Sequence, residues 1–215
     1  MQKLASIQKR TSPVKFDHLA EKSEKGSTSN LSTQVLGVAP LANAINVNPT
    51  LEVLRLAGND ITYKELKVWR NCLLDAPLRQ LDLRSTKLTA ETLEIFEAVL
   101  KGGPGGEHSN SLSTLRLGWN QLGETTAAFF ARGMAVNRTL TVLDLSANQM
   151  RTAKPFFETL PDNKVVIELD VSRNEICELE IVQLNGIIAD NKLVRELKAM
   201  RKATREARAS AAAYV

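Results

Sequence analysis

The chain has 215 residues, 43% of them hydrophobic, with 28 Lys and Arg against 24 Asp and Glu. That content supports one sizeable core, and no apolar run approaches the roughly 18–20 residues a membrane-spanning helix needs. The two cysteines, Cys72 and Cys177, form no CxxC and no Cys/His cluster, which excludes a zinc site of ordinary spacing.

Charge is unevenly spread. Residues 1–30 hold six Lys and Arg against three Asp and Glu, and residues 191–215 hold seven against two. Between them, residues 31–190 hold fifteen against nineteen, so an acidic-leaning body carries two basic ends. Both cysteines lie among apolar neighbours and read as buried free thiols of a reducing compartment.

In chain order, residues 1–30 read as a polar, basic extension. MQKLASIQKR lacks the apolar centre of a secretory signal, and its lack of acids before Asp17 leaves a mitochondrial leader as the weaker expectation beside a cytoplasmic chain. KSEKGSTSN has the composition of a segment that cannot bury enough apolar surface to order itself. Val38, Leu41 and Ile45 then fall at helical spacing with nothing strand-like before them, as half a repeat whose helix caps an open end.

Five copies of one template follow, Leu-x-x-Leu-x-Leu-x-x-Asn-x-Leu. They are LEVLRLAGNDI from Leu51, LRQLDLRSTKL from Leu78, LSTLRLGWNQL from Leu112, LTVLDLSANQM from Leu140 and VIELDVSRNEI from Val166. The long step between the second and third contains the insertion KGGPGGEHSNS, 101–111. After each Asn, apolar residues recur at helical spacing: Leu66, Trp69, Leu73; Leu93, Phe96, Leu100; Ala127, Phe130, Met134; Phe156, Phe157, Leu160; Ile181, Leu184, Ile188. Each unit is therefore a short strand, an Asn-bearing turn and a helix, and Thr62 to Glu65 reads as a capping box. One unit cannot bury its own apolar face, so the units must stack over residues 31–190. The Asn amide can bridge neighbouring turns. Thr86, which replaces it once, can do part of this, so a looser turn is expected there. Residues 191–215 predict a basic helix with a stripe of Leu193, Leu197, Met200, Thr204, Ala207, Ala211 and Tyr214, its first two turns capping the last unit.

This pattern resembles the leucine-rich repeat family, in particular its ribonuclease-inhibitor-like class with repeats of about 28 residues. The resemblance implies an α/β right-handed solenoid with a parallel concave sheet and convex helices, about five full repeats plus the N-terminal half-repeat. It also implies a non-enzymatic protein that presents its curved sheet to protein partners.

The residues agree that chemistry is absent. His18 and His108 lie in the polar extension and the glycine-rich insertion, where nothing fixes the geometry of a general base. KGGPGG lacks the GKS ending of a phosphate loop. No catalytic, cofactor-binding or metal residues are expected, and no small-molecule substrate. On the concave face, strand alternation lines up Arg55, Asp82, Arg116, Asp144 and Asp170. The first four read as a self-neutralising ladder. Asp144, Asp170 and Glu168 then form an acidic patch, suited to a basic partner segment or to the protein's own basic tail. The position before each Asn holds Gly58, Ser85, Trp119, Ala147 and Arg173. Trp69 is explained as core; Trp119 is not, and with Arg84 and Arg116 near it in the pattern it reads as an interface hot spot. Packing of Trp119 onto its own insertion or a terminal extension of its own chain is the competing reading. Arg201, Arg205 and Arg208 of the basic helix complete the partner-binding set.

These readings lead to a protein–protein interaction scaffold, a structural subunit of a multi-subunit intracellular assembly. A ciliary, axonemal or cytoskeletal setting follows from the resemblance. The basic ends also suit a ribonucleoprotein subunit, although arginines without interleaved aromatics lack a base-stacking platform. One branch of the family regulates small GTPases but carries an acidic tail, where this chain has a basic one.

Overall fold

The computed structural model describes residues 27–30, 51–102 and 111–212; the early helix around Val38, both histidines and most of the glycine-rich insertion fall outside them. Six strands form one parallel sheet in chain order: β1 Ser27–Asn30, β2 Leu51–Arg55, β3 Gln80–Asp82, β4 Thr114–Arg116, β5 Val142–Asp144 and β6 Glu168–Asp170. Helices alternate with them: α1 Tyr63–Asp75, α2 Leu93–Lys101 with a single 3-10 turn leading in, α3 Thr126–Val136, α4 Lys154–Thr159 and α5 Glu178–Ala212. This is the α/β repeat solenoid expected from the template.

The core is the template made solid. Leu54, Leu56, Leu83, Leu117, Leu143 and Leu145 are all fully buried, and so are Leu66, Trp69, Leu93, Ala127, Met134, Phe156 and Leu184 from the helices. Phe96 and Phe130 stack between neighbouring helices with ring centroids 6.2 Å apart. The capping box forms as read: Thr62 N–H donates to Glu65 Oε2 at 2.8 Å, and Glu65 N–H donates to Thr62 Oγ1 at 3.3 Å.

The asparagines stitch the turns together. Asn120 Nδ2 donates to Leu117 O and, one unit back, to Leu83 O, at 2.8 and 2.9 Å. Its Oδ1 accepts from Thr86 N–H and Leu88 N–H, both at 3.0 Å. Asn148 and Asn174 repeat the backward reach to Leu117 O and Leu145 O, at 2.9 and 3.0 Å. Thr86 Oγ1 donates to Leu83 O of its own turn at 2.6 Å and lies 3.3 Å from Asn120 Oδ1 of the next, but it does not reach back to Leu56 O, so that step lacks the side-chain tie the asparagines make.

A second ladder runs through Asn137 and Asn163, after the third and fourth helices, and through Asn191 inside α5, and the sequence reading missed it. Asn137, Asn163 and Asn191 are all buried. Asn137 Nδ2 donates to Leu100 O at 3.0 Å, Asn163 Nδ2 to Met134 O at 2.7 Å, and Asn191 Nδ2 to Asn163 O at 2.8 Å.

Four expectations change. β1 lies inside the segment read as a polar extension, where nothing strand-like was expected; STSN has no apolar alternation, yet it pairs in parallel with β2, Asn30 beside Arg55. The division at 190/191 is no break: the last repeat's helix and the basic helix are one element of 35 residues. The first turns beyond 190 cap the last unit only through Asn191 and half-buried Val194, because Leu193, Leu197 and Met200 are 53%, 45% and 66% exposed. Finally, Cys177 is an exposed free thiol, since it sits where the chain enters α5 on the solvent side; the side chain of Cys72 lies outside the described set.

Candidate interaction surface

The strands deliver the concave row in the expected register: Arg55 beside Asp82, then Arg116, Asp144 and Asp170. The ion pairing differs from the expected ladder. Asp82 is gripped by Arg84 of its own strand end, Nε to Oδ1 at 2.9 Å and Nη2 to Oδ2 at 2.7 Å. A two-pronged guanidinium contact satisfies both carboxylate oxygens at once, which a guanidinium reaching across from the next strand does less well. Burial opposes ionisation of Asp82, but hydrogen bonds from the Arg84 side chain and backbone, with the charge of Arg116 nearby, hold its carboxyl below the ordinary carboxylate range. Arg116 makes no ion pair within 4 Å of a described residue, so it stays a half-exposed cation on the concave face.

The acidic end has a structural duty too. Asp144 Oδ1 accepts from Ser146 N–H at 3.0 Å and from Ser146 Oγ at 2.7 Å; Asp170 Oδ1 accepts from Ser172 N–H at 2.8 Å. Each aspartate thus caps the turn two residues on, as Asp82 does for Arg84 N–H at 3.2 Å. Gly118 fits this packing, because a Cβ there would meet Ser146 Oγ at 2.5 Å and Asp144 Oδ1 at 2.8 Å. Glu168 and Asp170 are exposed on β6, with the Asp144 and Asp170 carboxylates oriented by their turn hydrogen bonds.

The turn leaving each strand explains the row that contains Trp119. Its amide donates to the next turn: Gly58 N–H to Arg84 O, Ser85 to Gly118, Trp119 to Ser146 and Ala147 to Ser172, at 2.8–3.0 Å. That geometry puts the backbone in the left-handed region at every copy, with φ of 74° at Gly58, 54° at Ser85, 60° at Trp119, 50° at Ala147 and 57° at Arg173. Only glycine takes this conformation freely; other residues are held there at a cost of roughly 1–2 kcal/mol. The most expensive kind of side chain for the position is therefore present at Trp119, and it is 55% exposed.

Its arginine is not the expected one. Arg84 is committed to Asp82, whereas the Arg173 guanidinium carbon lies 5.1 Å from the Trp119 ring centroid. Arg173 stands two places along the same row, and the small Ala147 between them leaves the path open. The sequence already held the signal, since both residues occupy the equivalent position, but only the stacking brings them together.

On α5, Arg201 and Arg205 are exposed and, with Leu197, Met200 and Thr204, line a shallow groove along the projecting helix. The side chain of Arg208 lies outside the described set. The structure thus places Trp119, Arg116, Asp144, Glu168 and Asp170 on the sheet side of the stack, adds Arg173, ties Arg84 to Asp82, and leaves Arg201 and Arg205 on a separate arm.

Among the described residues no group of three or more His, Cys, Asp and Glu could hold a metal ion, and no helix is long and apolar enough to cross a membrane.

Comparison with known proteins agrees with this geometry. A family model described as Leucine Rich repeat matches residues 47–64 and 136–152. Human Protein NLRC5 is 32% identical over 114 residues, 53% of this chain; the chain spans only 6% of that protein's length. Among solved structures, the C-terminal domain of Caenorhabditis elegans tropomodulin superposes with a TM-score of 0.61 at 10% identity, covering 76% of this chain and 98% of that one. Leiomodin-1 actin-binding site 2 superposes with a TM-score of 0.57 at 18% identity, covering 77% of this chain and 96% of that one. At these identities the two structures speak for the fold. With the five-fold template, the stacked parallel sheet and the asparagine ladder, the chain is a leucine-rich repeat protein.

Proposed function

We propose that this chain is a non-enzymatic protein–protein interaction scaffold, a structural subunit of a larger intracellular assembly that grips a protein partner along the edge formed by Trp119 and Arg173. The observation that carries the reading is Trp119 itself: a large aromatic held at φ 60° and 55% exposed, under a guanidinium, where glycine would cost the fold least. Aromatic and arginine side chains of this kind dominate binding energy when a partner desolvates them. Arg116, the oriented carboxylates of Asp144 and Asp170, and the exposed Glu168 flank the edge and favour a partner segment of mixed charge with a basic portion over the acidic end.

A cytoskeletal setting is the finer part of the proposal. It is supported by the shared fold with a leiomodin-1 fragment named for actin binding, which makes actin the first partner to try. Ciliary or axonemal assembly is a narrower form of the same proposal. A ribonucleoprotein role is the second reading, favoured by the exposed Arg201 and Arg205 on an arm that stands clear of the stack. Phosphate contact there would weaken binding steeply with salt, whereas a Trp119-centred protein contact would not.

The test is a photo-crosslinking benzophenone residue placed at position 119 in the full chain, activated in cells and followed by mass spectrometry. The expected product is a cross-link to one protein partner. Cross-links only within this chain, to its own insertion or terminal extensions, would assign Trp119 to self-packing and overturn the proposal.

A further inference from the structure

At the C-terminal end of the stack, side chains and backbone disagree. Asn137, Asn163 and Asn191 occupy one slot in successive units. At Asn137, Oδ1 accepts from Thr139 N–H and Leu140 N–H at 3.0 and 2.8 Å; at Asn163, it accepts from Val165 N–H and Val166 N–H at 2.9 and 3.3 Å. Those bonds turn the chain out of one unit and into the next strand. Asn191 docks in the same way through Nδ2, to Leu160 O at 3.2 Å, Asn163 O at 2.8 Å and Val166 O at 3.1 Å. Its Oδ1 is buried with no hydrogen-bond partner. The reason is local: α5 runs straight through, so the amides two and three residues on belong to the helix. A buried unpaired carbonyl carries a real desolvation cost, so this orphan needs an explanation.

The residues beyond it read as a strand. NKLVRELKA, 191–199, overlays NKVVIELDV, 163–171. A step of 28 residues takes Val166, Leu169 and Val171 to Val194, Leu197 and Ala199. In the preceding unit those three positions are core; here Leu197 is 45% exposed on the helix. Charge agrees with the overlay. Asp144 and Asp170 are like-signed neighbours on the concave row, and the next position in that row is Lys198. Glu196 would lie beside Glu168, an opposing pair at the solvent-exposed start of the strand.

We infer that residues 191–199 have a second conformation, in which Glu196–Lys198 adds to the open edge of β6 as a seventh parallel strand. Asn191 Oδ1 then accepts from the amides of Leu193 and Val194. Leu197 and Ala199 take the core positions next to Leu169 and Val171 at the end of the stack, and Lys198 meets Asp170. The helical form is held by the strong helix formers from Arg195 onward. A partner that grips the Leu197–Thr204 face of the helix keeps the β6 edge open, so arm binding and edge closure exclude one another.

Disulfide trapping tests this in the full chain. Asp170→Cys with Lys198→Cys, in a Cys177→Ser background, places the two sulfurs on adjacent strands about 4.8 Å apart in the second conformation. Asp144→Cys with Lys198→Cys, one strand further away, is the control, and mass spectrometry identifies each link. Under mild oxidant the first pair should link at least tenfold faster than the control. Ala199→Val, which copies Val171 and weakens the helix, should speed trapping about threefold. A second pair in the same register, Glu168→Cys with Glu196→Cys, gives an independent reading if the first variant folds poorly. Equal rates for the register pairs and the control, unaffected by Ala199→Val, would overturn the inference.

Discussion

Trp119 stands where glycine is cheapest, and that makes its role separable from folding. Trp119→Gly relieves a left-handed strain of roughly 1–2 kcal/mol. It costs about 0.5–1 kcal/mol in chain entropy and an exposed cation–π contact of similar size. Stability measured by urea unfolding should therefore stay within about 1 kcal/mol of the parent, whereas Leu117→Ala in the same turn should cost about 2–5 kcal/mol. A large loss on Trp119→Gly would make Trp119 a packing residue. Asp82 gives a second check at this scale. Its folded carboxyl titrates below the ordinary 3.8, so its pairing with Arg84 contributes stability that is fully present above that value and is lost as pH falls through the folded one. The stability difference between the parent and Asp82→Asn should hold constant from neutrality down to about pH 4 and shrink below it.

At the scale of elements, the two asparagine ladders set how tightly one unit follows another. Thr86→Asn should restore the missing side-chain tie to Leu56 O and stabilise the stack by about 1 kcal/mol. Asn163→Ala strands Met134 O and the amides of Val165 and Val166 and should cost about 2–3 kcal/mol, both read by chemical denaturation. Strands and convex helices were legible in the sequence because their periods are local: Leu81 and Leu83 alternate, and Leu93, Phe96 and Leu100 repeat at three and four. What the sequence hid depends on stacking. Asn137, Asn163 and Asn191 look like ordinary turn asparagines until the units pile up. STSN carries no apolar signal for β1, whose place comes from the free edge of β2. Arg84 and Arg116 seemed equivalent near Trp119, but the two-pronged grip on Asp82 removes one of them, and Arg173 arrives from two units away. The proposed binding role of the surface was legible only as an odd tryptophan beside an asparagine.

At the scale of the molecule, an acidic-leaning stack carries a basic arm that does little for its stability. Every described side chain from Arg195 to Ala207 is exposed. Removing residues 203–215 should therefore leave the thermal midpoint within about 2 °C, by circular dichroism, as surface changes do. The stack and the arm are thus free to serve separate contacts. The Trp119–Arg173 edge is proposed as a binding site rather than a packing device. Its most direct test is the affinity of Trp119→Ala for the partner captured at position 119, measured alongside the thermal midpoint. Affinity should weaken about 30-fold or more, as for a hot spot, with the midpoint unchanged within a few degrees. Unchanged affinity at unchanged stability would contradict it.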